Sequence, residues 1–226
     1  MSGFAGIVRV LTTDDPALLG AHGRLIEARF GVTTRTLCIP DQPTGIYDVE
    51  SERLAVPKII QIGKVLAADG ASAIVISCAA DPAVTELRRE LTIPVIGPGS
   101  SAAALAVGLA DRVGVLNLTE GAPGPVRRIL GDRCIGEDSP EGVRNSLDLL
   151  TDWGREATLR AAKRLADAGA GALVLACTGY ATIGMADELR RRLGVLAVDP
   201  VIAAGLMVWF ALSQPSRLTS ELRGVS

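Results

Sequence analysis

The sequence has few of the residues on which most cofactor and metal sites depend. Aromatic residues make up only 3% of the 226 residues, and His22 is the single histidine. The four cysteines form no Cys-x-x-Cys pair, so the spacing typical of a zinc site is absent. We therefore expect neither a metal nor a cofactor, and we interpret His22 as a surface or packing residue.

A strong charge of one sign is also absent. The chain carries 23 basic and 25 acidic residues, for a net charge of -2, which favours neither nucleic acid nor an anionic membrane. The apolar run 205–212 is shorter than the roughly 20 residues that cross a bilayer, and residues 1–4 do not begin a signal peptide. We expect a cytoplasmic protein with reduced cysteines, no nucleic-acid partner and no membrane partner.

What the sequence does have is a regular alternation of short apolar strands and helices. At 48% hydrophobic and 21% charged residues, the composition is that of a well-packed globular protein. The predicted strands cover 7–11, 33–39, 73–77, 94–96, 113–116, 133–135, 173–176 and 196–198. The predicted helices of the first half cover 16–30, 57–69, 82–90 and 101–110. Strands separated by helices of this length indicate parallel sheets covered on both faces.

The two halves of the chain also resemble each other. Residues 70–78 align without a gap on residues 169–177, and each segment ends in a cysteine. The motif Glu-Leu-Arg-Arg at 86–89 recurs at 188–191. A repeat of this length indicates a duplicated domain rather than a solenoid.

The predicted fold class is therefore α/β, with two pseudo-symmetric flavodoxin-like or Rossmann-like half-domains. Each half should hold a parallel four-stranded sheet flanked by helices. We expect residues 1–110 to form an N-terminal half that contains Cys78 and is completed by a C-terminal helix at 201–226. Residues 111–200 should form the second half, with Cys177.

Cys78 and Cys177 are the candidate catalytic residues. In parallel α/β sheets, ligands bind beyond the carboxyl ends of the strands, and both cysteines end a predicted strand just before a helix. A helix N-terminus there should lower the pKa of a thiol. Two thiols facing one carbon suit a reaction in which a proton leaves one face and returns to the other. Cys38 and Cys134 are interpreted as small core residues.

Other candidates for the cleft are polar or shape-forming residues near strand ends. Polar residues follow the first strand of each half: Thr12 and Thr13 in the first half, Asn117 and Thr119 in the second. Their side chains could bind substrate or cap helices. Ile46 and Tyr180 could shape the pocket around a substituent. Asp81, before Pro82, is expected to cap a helix.

One competing motif is glycine-rich. The segment 97–102 fits a dinucleotide fingerprint between a strand and a helix, with Glu120 about 20 residues further on. Its counterpart at 199–201 lacks the glycines. We therefore interpret the segment as a tight turn into a closely packed helix of small residues.

Together, these residues resemble the cofactor-independent aspartate/glutamate/hydantoin racemase superfamily over nearly the whole chain. Ser77-Cys78-Ala79-Ala80-Asp81-Pro82 is similar to the first cysteine motif of the hydantoin and allantoin racemase branch. Residues 174–179 are similar to the second cysteine motif of that branch. Residues 45–48 are similar to the segment ahead of its second helix. Glutamate racemases instead carry Cys-Asn-Thr and Cys-Thr-His at the two sites.

The resemblance implies a two-base racemase in which Cys78 and Cys177 exchange a proton with a small-molecule substrate. The small residues after the two thiols, namely Ala79, Ala80, Thr178 and Gly179, suit a flat, uncharged ring, so the implied substrates are 5-substituted hydantoins or allantoin. The resemblance also implies a homo-oligomer, a dimer or larger.

Several alternatives stay open on the sequence. The same scaffold could serve an aspartate- or glutamate-type racemase, a maleate isomerase with one nucleophilic cysteine, or an enzyme like arylmalonate decarboxylase. A non-enzymatic alternative is a two-lobed small-molecule sensor. The presence of two thiols disfavours the decarboxylase, which needs only one.

Overall fold

The chain folds into two parallel α/β sheets joined in tandem. The computed structural model describes residues 3–118 and 121–214. The strands are β1 (Phe4–Arg9), β2 (Thr34–Cys38), β3 (Ala71–Ser77), β4 (Val95–Ile96), β5 (Val113–Leu116), β6 (Cys134–Asp138), β7 (Ala172–Leu175) and β8 (Leu196–Val198). The helices are α1 (Pro16–Phe30), α2 (Val49–Ala68), α3 (Val84–Glu90), α4 (Pro98–Leu109), α5 (Gly124–Leu130), α6 (Asp152–Asp167), α7 (Gly179–Thr182), α8 (Met185–Leu193) and α9 (Pro200–Ser213).

The two sheets have the same topology. Their strand orders are β2-β1-β3-β4 and β6-β5-β7-β8, and every pairing is parallel. The order 2-1-3-4 is the flavodoxin-like order. The predicted fold class, two pseudo-symmetric halves with a four-stranded parallel sheet each, is confirmed.

The last helix of each half packs on the sheet of the other half. Small residues of α4, including Ala102 and Ala106, share a core cluster with Val113 and Val174 of the second sheet. In return, α9 places Val201, Ala204 and Val208 in a cluster with residues of β1 and β3. The described part of the predicted helix at 201–226 ends at Ser213, and residues 215–226 lie outside the described residues.

The second helix begins about two turns earlier than predicted. Asp48 caps it, since its side chain accepts a hydrogen bond from the Ser51 backbone N–H at 2.8 Å while the Ser51 hydroxyl accepts one from the Asp48 N–H at 3.0 Å. This reciprocal cap fixes the start at Val49. Pro57, which the sequence suggested as the start, lies inside the helix.

No helix in the described part of the chain has the length and apolar character needed to cross a membrane.

Candidate active site

A cavity of about 390 Å³ lies between the two halves, at the carboxyl ends of the strands. Its volume falls within the roughly 300–1,000 Å³ of small-molecule sites. Cys78, directly after β3, and Cys177, just after β7, both line it. The duplicated strand ends therefore bring one thiol from each half to the same space.

The loop after Cys78 is held in place by the start of α4. The carboxylate of Asp81 accepts hydrogen bonds from the backbone N–H groups of Gly99 and Ser100, each at 2.8 Å. A side chain at Gly99 would not fit, because its Cβ would lie 1.9 Å from the backbone oxygen of Ala79. Asp81 and Ala83 both adopt left-handed backbone conformations, with φ of 56° and 58°, so the packing overrides local strain.

This arrangement explains the glycine-rich segment and corrects one expectation. The N–H groups that would hold a phosphate in a dinucleotide site are engaged by Asp81, which supports the interpretation of a tight turn. Asp81 does cap a helix, but that helix is α4. The helix that follows Asp81 begins only at Val84, with Ala83 as its N-cap residue.

Cys177 lies against the short helix α7. The backbone N–H of Gly179 donates to the Cys177 sulfur at 3.3 Å, and the N–H of Tyr180 donates to the Cys177 carbonyl at 3.2 Å. A Cβ on Gly179 would lie 2.9 Å from the Cβ of Ser146 and 3.3 Å from the sulfur. Glycine at this position therefore keeps space beside the thiol.

The two thiols are weaker acids than the sequence suggested. Burial raises the pKa of Cys78 to about 12 and that of Cys177 to about 11. Backbone N–H groups of Ala80 at the first thiol, and of Gly179 and Tyr180 at the second, lower the pKa but do not offset burial. The expected helix effect is thus present but smaller than desolvation.

A buried polar cluster that the sequence analysis missed forms one wall of the cavity. It consists of Arg9 at the end of β1, His22 on α1, Ser77 at the end of β3 and Thr182 on α7. Nδ1 of His22 contacts the Arg9 guanidinium and lies 2.5 Å from the Ser77 hydroxyl, while Nε2 lies 3.0 Å from the Thr182 hydroxyl. The expectation that His22 is a surface or packing residue misses this role. An arginine between two valines of an apolar strand was the signal available in the sequence.

The cluster links the two halves of the protein. Thr182 belongs to the second half, whereas the other three members belong to the first. In addition, the hydroxyl of Thr178 donates to the carbonyl of Ser77 at 3.2 Å. The residue after one catalytic candidate is thus hydrogen-bonded to the residue before the other.

The remaining predicted site residues divide into two groups. Lining the cavity are Ile46, Ala79, Ala80, Asn117, Thr178 and Gly179. Three predicted residues lie outside the cavity wall. The hydroxyl of Thr12 donates to the Ile39 carbonyl at 2.7 Å, and that of Thr13 accepts a hydrogen bond from the Asp15 N–H. Tyr180 is fully buried, and its hydroxyl donates to the Asn117 carbonyl at 2.7 Å. Thr119 lies outside the described residues.

Apolar and acidic residues surround the rest of the cavity. Tyr47, Val49, Leu147 and Leu150 line it and are exposed, so they belong to its mouth. The carboxylate of Glu52 also lines it, and burial raises its pKa. Within residues 3–118 and 121–214, no group of three or more histidine, cysteine or acidic residues could hold a metal ion.

Comparisons with known proteins give a family from one sequence model and a fold from solved structures. A family model described as Asp/Glu/hydantoin racemase matches residues 23–208, and no curated protein sequence matches the chain significantly. The solved allantoin racemase from Klebsiella pneumoniae has a TM-score of 0.80 and 25% identity, over 94% of this chain and 88% of that chain. The allantoin racemase from Pseudomonas fluorescens has a TM-score of 0.77 and 20% identity, over 96% of this chain and 99% of that chain. A glutamate racemase from Bacillus anthracis has a TM-score of 0.68 and 15% identity, over 93% and 82%.

Proposed function

Because this chain belongs to the Asp/Glu/hydantoin racemase family, we propose that it racemises 5-substituted hydantoins, allantoin among them, by exchanging the C5 proton between Cys78 and Cys177. The observation that carries the proposal is that both thiols line one cavity, each from the corresponding strand end of its half. The resemblance in structure to two allantoin racemases supports the substrate class.

The proposed mechanism uses one thiolate and one thiol in each turnover. The thiolate removes the C5 proton, and the electron pair moves onto the neighbouring ring carbonyl as an enolate. The other thiol then protonates the opposite face of C5 and becomes the thiolate. Charge is conserved in each step, and the two cysteines exchange roles. Raised thiol pKa values suit this chemistry, because the conjugate thiolate is then a stronger base towards a carbon acid.

The charges of the cavity favour a neutral ring over an acidic amino acid. Asp48 and Glu52 place carboxylates on the wall, and Arg9 is the one cation among the described residues that line it. Arg9 is 3% exposed and its guanidinium contacts His22, so little of its surface is open to a substrate carboxylate. Aspartate or glutamate would bring two carboxylates into this space, whereas a hydantoin brings none.

The direct test is the loss of optical rotation of single enantiomers. The panel consists of allantoin and 5-alkylhydantoins, with aspartate and glutamate as controls. We expect hydantoins to racemise and the amino acids to keep their rotation. Racemisation of glutamate or aspartate in place of every hydantoin would contradict the substrate assignment and favour an amino acid racemase.

The role of the cysteines is tested by replacing each one. Cys78→Ala or Cys177→Ala should lower racemisation at least about 100-fold, the usual contribution of a general acid or base. At least one single variant should still exchange the C5 proton of one enantiomer for solvent deuterium, because one thiol remains. Cys134→Ala, on β6 and outside the cavity wall, is the matched control. Near-normal racemisation by both site variants would exclude the mechanism.

A further inference from the structure

Arg9 is a buried cation for which the described protein supplies no carboxylate partner. It is the last residue of β1, with 3% of its surface exposed. One guanidinium nitrogen contacts His22, and Nε has no hydrogen-bond partner within the described residues. Burial lowers the pKa of Arg9 to about 10, so the group is charged at neutral pH. Fully buried arginines are rare unless an anion neutralises them.

His22 cannot supply the missing negative charge. Arginine only donates hydrogen bonds, so Nδ1 of His22 must accept from Arg9, and Nε2 carries the proton that faces Thr182. Burial, and then the charge of Arg9, hold the pKa of His22 well below its usual value. The ring therefore stays neutral and fixes the direction of the guanidinium without changing its charge.

The cavity wall offers a group that can become an anion, the thiol of Cys177. Arg9 and Cys177 line the same cavity, and His22 connects Arg9 to Thr182 of α7, the helix that follows Cys177. The charge of Arg9 lowers the pKa of Cys177, although by less than burial raises it. Of the other groups near this thiol, His22 is neutral, and burial holds the pKa of Tyr180 well above its usual value, so its hydroxyl is neutral as well. The charge that acts on Cys177 is thus mainly that of Arg9.

Cys78 lies in the opposite electrostatic surroundings. After burial, the charges of Cys177, Asp81 and Glu52 all raise the pKa of its thiol, with only the backbone N–H of Ala80 acting the other way. The positive side of the cavity thus faces one thiol and the acidic side faces the other. The duplication did not copy this charge. Arg9 pairs with Ser77, the residue before Cys78, whereas Leu116 pairs with Leu175, two residues before Cys177, so Asn117 occupies the corresponding place in the second half.

We infer that Arg9, oriented by His22, is a positioning charge that makes Cys177 the thiol that ionises first, so that the reactive, singly ionised pair is a Cys177 thiolate and a Cys78 thiol. The inference rests on the proposed function for its role in catalysis. In that reaction, Arg9 compensates the single negative charge of the site, which lies on one thiolate before and after each turnover and on the enolate in between.

The test is site-resolved alkylation of the intact protein, which needs no substrate. Iodoacetamide is applied across about pH 7 to pH 10, and peptide masses give separate rates for Cys78 and Cys177. In the unmodified sequence, Cys177 should react first. Arg9→Met should slow Cys177 about tenfold and move its rate profile to higher pH by about one unit, with a smaller change at Cys78. Arg9→Lys keeps the charge and should retain the preference for Cys177.

Two controls separate charge from general damage. Arg35→Met removes an exposed arginine from the neighbouring strand β2, where it pairs with Asp69 at 2.8 Å, and should leave both profiles unchanged. Glu52→Gln removes a negative charge near Cys78 and should speed alkylation of Cys78 while leaving Cys177 first. Circular dichroism verifies that each variant is folded.

The outcomes decide the inference independently of the proposed function. Faster alkylation of Cys78 than of Cys177 in the unmodified protein would overturn it, even if Arg9→Met does not fold. An unchanged Cys177 profile in folded Arg9→Met would do the same. If the alkylation results hold but no hydantoin is racemised, the proposed substrate fails and the assignment of the first thiol to ionise stands.

Discussion

At the scale of single residues, the thiols of Cys78 and Cys177 are where pH acts most directly on this protein. Burial raises their pKa values to about 12 and about 11, and only a thiolate can remove a proton from carbon. Raising the pH therefore increases the reactive fraction throughout the range below about 11. If the two thiols were exposed, they would be more than half ionised above about pH 8.5.

The resulting prediction concerns the pH dependence of catalysis. With a 5-alkylhydantoin as substrate, kcat/KM should rise about tenfold per pH unit between about pH 7 and pH 9. The measurement is the initial loss of optical rotation in buffers of constant ionic strength. A plateau that begins below about pH 8.5 would mean that the thiols are more acidic than their burial allows.

Gly179 gives a second prediction at this scale. In Gly179→Ala the new methyl group would lie 2.9 Å from the Ser146 Cβ and 3.3 Å from the Cys177 sulfur, so it should displace the thiol. We expect kcat/KM to fall at least about tenfold, since small misplacements of reacting groups are costly, with a small change in Tm. Gly124→Ala, at the first residue of α5 with open space around it, is the matched control. Equal activity of the two variants would show that no crowding occurs.

At the scale of elements, the loop after β3 and the start of α4 form one unit. The loop carries Cys78, and the backbone of Gly99 packs against it so closely that a Cβ would lie 1.9 Å from the Ala79 oxygen. Backbone cannot yield as a flexible side chain can, so this contact couples the stability of the helix start to the position of the thiol.

Replacing the glycine should separate these effects from ordinary helix propensity. Gly99→Ala should lower the free energy of unfolding by about 1–3 kcal/mol, as overpacking does, and should change the alkylation rate of Cys78. Gly108→Ala lies on the same helix with nothing within 4 Å, and should stabilise by up to about 1 kcal/mol. Denaturant unfolding gives both values. A neutral or stabilising Gly99→Ala would contradict the tight contact.

The same elements show what the sequence could and could not predict. Apolar strands and the repeat before Cys78 and Cys177 predicted the two parallel sheets, because burial on both faces leaves a clear pattern. The boundary at Pro57 failed because a hydrogen-bonded cap at Asp48 outweighs the usual position of proline. The helix that Asp81 caps and the partner of Arg9 could not be predicted, since both depend on residues brought together only by the fold.

At the scale of the whole molecule, the exchange of α4 and α9 makes each half depend on the other. The core of the first sheet includes Val201 and Val208 of α9, and the core of the second includes Ala102 and Ala106 of α4. The two walls of the cavity are thus joined by helices that pack in both cores. This suits a site in which two groups must reach one carbon from opposite sides.

Asp199 lies at the start of α9 and links this architecture to pH. Its carboxylate accepts hydrogen bonds from the N–H groups of Val201 at 2.8 Å and Ile202 at 3.0 Å. Even so, burial raises its pKa to about 6. A carboxyl whose pKa is raised on folding binds its proton more tightly in the folded state. Its contribution to stability is therefore full below about pH 4 and is lost as pH rises through about 6.

Asp199→Asn should remove this loss while keeping an acceptor for the two N–H groups, because asparagine is also a good N-cap. The stability of the variant relative to the unmodified protein should therefore increase between about pH 4 and pH 7, by at most about 3 kcal/mol. Denaturant unfolding at the two pH values measures the change. Asp111→Asn, which removes an exposed carboxylate between α4 and β5, controls for the change in net charge. A relative stability of Asp199→Asn that stays constant as pH rises would show that folding leaves the acidity of Asp199 unchanged. A relative stability that falls would show that the charged carboxylate stabilises the folded protein.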